Sequence, residues 1–346
     1  MRTAVFHETF ASEERLWDSP ATRAWMLAFT LALFTMPLWG TDYMLAMACI
    51  VGIHVIATLG LNLTTGNAGL ISLSHGAFVG VGCYTVAWLA KQGVPFYLTL
   101  PAAGLLTAAL GVVVGLPSLR VKGLYLAIAT LAAHFILTFV FREWETVTGG
   151  VPGTTIPRAE LFGFEFVGDR RNFYLIFACA FAMAVAARNL ARTHIGRAFV
   201  AVRERDFSAE IMGVNLLRTK LLAFALGAFY AGVAGGLLGY FYGAITPEYF
   251  LLTLAVFYLA AIIVGGLGTV LGSILGALFM TFVPEVLRLA AHASSQWFPG
   301  VAGLLLPMGQ VVFGLLIILF LIFEPHGLAA IWARIRRGFH LWPFRT

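Results

Sequence analysis

Two groups of polar residues interrupt an otherwise apolar chain, and each suggests a chemistry. The first is RERDFSAEIMGVNLLRTK, from Arg203 to Lys220. Asp206 is a good helix N-cap, and Glu210 sits early, where the helix dipole favours negative charge. Phe207 and Ile211 are four apart and share a face. Gly213 is suited to end the helix in a left-handed conformation. The pattern predicts a helix of about two turns with a small apolar face, flanked by Arg203, Arg205, Arg218 and Lys220. Such a short helix is marginal alone and makes sense docked in a groove of another protein. A polar loop with no partner accounts for the same residues equally well. The second group is TTGNAGLISLSHGAF, residues 64–78, with Asn67, Ser72, Ser74 and His75 among glycines. Irregular backbone at membrane depth is tolerated only where it is buried in protein or lines a wet cavity. A broken or re-entrant element lining a solute pathway is therefore expected here, with an ordinary turn as the plain alternative.

Other chemistries lack their residues. None of the three lysines, Lys91, Lys122 and Lys220, follows a glycine, so no P-loop cradles nucleotide phosphates. There is no H-E-x-x-H, no Cys/His metal spacing and no G-x-S-x-G elbow. No cofactor and no enzymatic reaction is expected. Cys49, Cys83 and Cys179 lie scattered in apolar runs and read as small apolar filler. Ion-coupled carriers place acidic groups inside the bilayer. Here Glu285 is the one well-placed candidate, and Arg288 three residues on predicts a local ion pair instead. His54, His75 and His134 read as hydrogen-bonding partners for neighbouring helices rather than proton carriers. Energy for uphill movement would have to come from another protein.

These residues must be positioned by membrane helices. The chain has 346 residues, 60% hydrophobic and 11% charged, with mean hydropathy +0.90. A water-soluble domain cannot hide that much apolar surface. Apolar runs near 24–40, 42–63, 76–90, 96–117, 122–141, 172–188, 221–240, 251–267, 271–290 and 304–323 predict about ten spans of an all-α integral membrane protein. No removable signal peptide is expected. With both termini cytoplasmic, 16 of the 22 Lys and Arg fall on the inside. The basic balance, net +6, thus reflects orientation in lipid rather than nucleic acid binding. The organisation expected is a cytoplasmic segment 1–23 and a transmembrane domain 24–331. Within that domain lie a polar region 189–220 and an external loop 142–171; a basic tail 332–346 follows. Glycines at four-residue spacing, Gly235/Gly239/Gly243 and Gly268/Gly272/Gly276, predict close helix packing, within one bundle or between subunits.

Several stretches together resemble one family. They are GNAGLISLSHGAFVGVGCY (66–84), LRVKGLYLAIATLA (119–132), TGGVPG (148–153), the run 197–237, VGGLGTVLGSILGA (264–277) and FGLLIILFLIFEPHGLAAI (313–331). The chain resembles the LivM-like permease subunits of branched-chain amino acid ABC importers, over roughly 45–331. The run 197–237 is similar to the E-A-A coupling region of such permeases, though the Ser208-Ala209-Glu210 order departs from it. The resemblance implies an ABC importer permease fold in a bacterial inner membrane. It implies a second homologous permease, two cytoplasmic ATP-binding subunits and a periplasmic substrate-binding protein as partners. It also implies ATPase coupling through Arg203, Arg205, Asp206, Phe207, Glu210, Ile211 and Gly213. The family also serves urea, short amides and other small carboxylates. A stand-alone secondary transporter or channel is the competing expectation.

Overall fold

A computed structural model describes residues 34–161, 164–165, 168–295 and 327–341, with scattered positions at 24, 32 and 311–324. The described residues are helical almost throughout. Its long helices are α1 (Asp42–Leu61), α2 (His75–Lys91), α3 (Phe96–Gly115) and α4 (Leu124–Glu143). The one-turn α5 (Glu145–Thr148) precedes α6 (Asp169–Arg192), α7 (His194–Glu204) and the short α8 (Asp206–Ile211). Then come α9 (Leu216–Tyr242), α10 (Leu252–Gly265), α11 (Val270–Ser295) and α12 (Gly327–Leu341). Among the described residues, seven segments are long and apolar enough to cross a membrane. The 17-residue α2, buried along most of its length, is an eighth helix within the bundle. About half of each of the expected spans 24–40 and 304–323 falls outside the described residues. Outward faces carry Leu105, Ile136 and Phe139, each more than 60% exposed, which suits a lipid solvent.

Small residues decide the packing. The central α9 lies against α1, α2 and α3. Gly82 of α2 faces Gly232 of α9, and a Cβ on Gly82 would meet the Gly232 Cα at 2.5 Å. Gly235 abuts the Val79 carbonyl, and Gly239 abuts Cys83. Gly272 and Gly276 nest against Gly265 and Ala261. The glycine spacing thus serves packing inside this chain, where backbones approach as closely as membrane helices allow. Two stripe members differ from expectation. Gly268 precedes α11 in a turn at φ +80°, and Gly243 caps α9 at φ +68°. Both supply a left-handed backbone instead of a helix face.

The helix ends sort into two poles. At one, the end of α1, the α7–α8 region and the α10–α11 turn meet. Arg203 reaches Gly66, Asn62 holds Gly268, and Lys122 pairs with Asp206. At the other, β1 (Thr154–Thr155) pairs antiparallel with β4 (Ala244–Ile245). Beside them β2 (Glu160–Leu161) and β3 (Phe164–Glu165) form a second ribbon. The T-G-G-x-x-G run feeds this ribbon. Gly153, at φ +81°, passes so close to the Ile245 carbonyl that no side chain fits. Lys91 Nζ bonds Thr154 at this pole, and Tyr43 bonds Glu285. Glu285 and Arg288 form the expected local pair at 2.6 Å.

Candidate functional site

The end of α1 does not stop cleanly. Residues Asn62–Asn67 widen into a π-turn, and an irregular stretch follows to Ser74. The chain then doubles back along α1. Leu70 N–H donates to the Thr64 carbonyl at 3.1 Å, and His75 Nε2 lies 2.8 Å from the Ala57 carbonyl. At a rise of about 1.5 Å per residue, Ala57 lies roughly 15 Å back from Asn67. The irregular backbone therefore runs inside the helical body, and α2 begins well within it.

Much of this segment is buried in protein, although Gly69 is exposed. Asn67, Ser72, Ser74 and His75 are all buried. Ser72 Oγ and Ser74 Oγ are 3.1 Å apart, and Leu73 N–H donates to Thr130 Oγ1 at 3.0 Å. His75 also meets the edge of Tyr258, whose hydroxyl is 3.1 Å from His54 Nδ1. Two of the three membrane histidines thus bond neighbouring helices as expected. His134 does not, and neither of its ring nitrogens finds a partner among the described residues. Asn67 Oδ1 is likewise without one.

A joint connects the break to the polar region. Asn62 donates to the Thr269 carbonyl at 3.1 Å and accepts from Gly268 N–H at 2.8 Å. Its amide thereby clasps the α10–α11 turn. Arg203 Nη1 donates to the Gly66 carbonyl at 2.6 Å, and its stem crosses over Gly69. From its place in the sequence, Arg203 reads only as a charge flanking the short helix. It also ties α7 to the α1 break, because the widened π-turn leaves the Gly66 carbonyl open to a side chain.

The short helix is present, with one correction. Arg205 in extended conformation is its N-cap, and Asp206 is the first helical residue with no capping bond. The Asp206 carboxylate is taken elsewhere. It accepts from Lys220 Nζ at 2.8 Å and pairs with Lys122 Nζ at 2.7 Å. Lys220 is buried and Lys122 exposed, so most of the strength lies in the Lys220 half. Burial acts to raise the Asp206 pKa, but the bonds from Lys122 and Lys220 outweigh it and hold the carboxyl below its ordinary range. A depressed folded-state value gives stability above the usual carboxylate range, lost as pH falls through the folded value. The tie is complete at neutral pH.

Gly213 closes the helix as predicted, at φ +88°, with Gly213 N–H on the Glu210 carbonyl at 2.9 Å. Ala209 faces inward, 4% exposed. Phe207, Ile211 and Met212 face out at 74%, 70% and 84% exposure. Arg205 and Glu210 are also exposed. Three functional-looking residues escaped sequence reading: Asn62, Lys122 and Thr130. Thr130, His134 and Thr138 repeat at four-residue spacing, a signal that was open to view. The Lys122–Asp206 pair spans too much sequence to be inferred locally.

A helical bundle with seven described segments long and apolar enough to span a bilayer is the architecture of a multi-pass membrane protein. Residues 43–321 match the family described as branched-chain amino acid transport system / permease component, and the chain belongs to that family. It is a family of transport permeases, not of enzymes. The chain is 34% identical over 267 residues to the LivM high-affinity branched-chain amino acid permease of Escherichia coli, covering 70% of this chain and 63% of that one. It is 34% identical over 261 residues to LivM of Salmonella typhimurium, covering 68% and 61%. A probable LivH permease of Methanocaldococcus jannaschii is 28% identical over 297 residues, covering 82% and 90%. The chain therefore spans under two thirds of the two LivM relatives. No solved structure matches it.

Proposed function

We propose that this chain is a permease subunit of an ABC importer for branched-chain amino acids or closely related small carboxylates. The observation that carries the reading is the outward apolar face of α8, Phe207, Ile211 and Met212, at the basic pole of a chain in this permease family. A face of that kind needs a cover. With no P-loop of its own, the chain takes its energy from ATP-binding subunits docked there. Glu210 and Arg205 flank the contact, and Gly213 sets its angle. The α8 pole is the cytoplasmic one, which places the β1–β4 ribbon and the 142–171 loop toward a periplasmic binding protein. Segment 1–23 and tail 332–346 lie on the α8 side of the inner membrane, flanking the permease domain 24–331. Closure of the ATPases moves α8. Arg203 and Asn62 carry that movement to the α1 break and the α10–α11 turn. The solute then passes from the binding protein along a route between this chain and a second homologous permease, with Asn67, Ser72, Ser74 and His75 near its inner end.

Affinity purification tests the assembly. A tagged chain expressed in its native host should elute with a second permease and two ATP-binding subunits. A stable, monodisperse single chain from such cells would defeat the reading.

A further inference from the structure

The seam between α2 and α4 holds a histidine that the fold leaves unanswered. α4 buries one stripe that includes Thr130, His134, Thr138 and Phe141. The stripe follows α2 in parallel. Leu73, just before α2, bonds Thr130, and farther along Tyr84 packs on Phe141 at a ring separation of 4.9 Å. Thr130 and Thr138 donate their hydroxyl protons to their own helix, to the Ala127 and Phe135 carbonyls at 3.0 Å each. His134 stands between them, 1% exposed, with Nδ1 and Nε2 both unpartnered among the described residues. The Tyr84 hydroxyl, on a residue 3% exposed, is unpartnered as well.

A neutral imidazole has one N–H to donate and one lone pair to offer. Leaving such groups unmet in an interior costs about 1–3 kcal/mol each. An apolar side chain at 134 would fill the same seam without that cost. The neighbouring threonines show that this helix satisfies its polar groups where it can. Both orphans lie on one line. It begins at the Ser72–Ser74 break and runs toward the opposite pole, where Thr148 Oγ1 donates to the Phe141 carbonyl at 2.8 Å. Phe141 and Phe250 both pack against Tyr84 and supply apolar surface beside the two donors.

We propose that the α2–α4 seam opens during transport and contacts the solute, with the His134 N–H and the Tyr84 O–H donating to its carboxylate. The ligand class is a small zwitterionic amino acid. Its aliphatic side chain meets the Phe141–Phe250 aromatics while its carboxylate meets the donors. This rests on the import reading above and names the contacts that reading leaves open.

The test uses the complete importer in proteoliposomes. His134→Cys is placed on a chain carrying Cys49→Ala, Cys83→Ala and Cys179→Ala, beside an Ile136→Cys control on the outward face of α4. A membrane-impermeant methanethiosulfonate reagent should label position 134 during ATP turnover with leucine-loaded binding protein, less at rest, and position 136 in neither state. Absence of labelling at 134 in every state overturns the proposal. In parallel, His134→Phe should lower leucine carried per ATP about tenfold, the equivalent of one lost hydrogen bond. His134→Gln, which keeps a donor, should recover much of it. His134→Phe that carries leucine like the parent also overturns the proposal, and if that variant fails to assemble the labelling decides. A parent complex that takes up no leucine defeats the import reading itself, a result separate from the labelling of the seam.

Discussion

Ile211→Asp leaves the helical bundle folded and reduces ATP-driven uptake roughly 30-fold, the equivalent of about 2 kcal/mol of docking. Ile211 is 70% exposed, so the charge disturbs no packing within the chain. What it disturbs is the exposed surface it shares with Phe207 and Met212, the surface proposed above to seat in an ATP-binding subunit. A carboxylate there has to be desolvated, and Glu210 beside it adds like charge. The measurement is uptake and solute-stimulated ATP hydrolysis in proteoliposomes, beside size-exclusion and thermal unfolding of the isolated complex. Exchange of the nearby Arg205 for Ala costs less, since rim charges steer association more than they hold it. An Ile211→Asp complex that assembles, hydrolyses ATP and transports like the parent removes α8 from the coupling scheme.

Gly82→Ala acts on the fold itself. The added methyl would lie 2.5 Å from the Gly232 Cα and press on the Gly232 carbonyl. Neither helix has a flexible side chain to move aside, so α2 and α9 must separate. Overpacking of this kind costs about 3 kcal/mol or more, and separation of these two helices also loosens α3, which packs against both. The expected result is loss of the monodisperse protein in detergent and a large fall in the unfolding midpoint. Gly93→Ala is the contrast. Gly93 has φ +79° with nothing within 4 Å of an added Cβ, so only the backbone strain of about 1–2 kcal/mol applies. Equal stability of Gly82→Ala and the parent would show that the α2–α9 approach is looser than described.

Much of this was legible before any coordinates, and the reasons differ by residue. The left-handed Gly213 follows from local chain chemistry alone, as does the Glu285–Arg288 pair on one helix face. The glycine spacing announced close packing, but whether it served one chain or two depended on which helices became neighbours. Asp206 was misread because capping is a local rule and its carboxylate answers a distant one. Lys122 and Lys220 converge on it from two other segments, and two cations outbid a backbone N–H. The bond of Arg203 to Gly66 was out of view for the same reason. A sequence shows the charge but not the open carbonyl at Gly66 that receives it. The irregular stretch before Ser74 was visible in its glycines and hydroxyls, whereas the contact of His75 with Ala57 was not. His134 looked like the other two membrane histidines and differs only in what surrounds it.

The central claim is that this chain moves a small amino acid using ATP hydrolysed by other subunits. Uptake of labelled leucine into proteoliposomes tests it most directly. The vesicles hold the full complex with ATP inside and binding protein outside. The account predicts accumulation with ATP, none with ADP, and none when the vesicles contain this chain alone. Accumulation by the single chain, driven by a proton or sodium gradient without nucleotide, would contradict it.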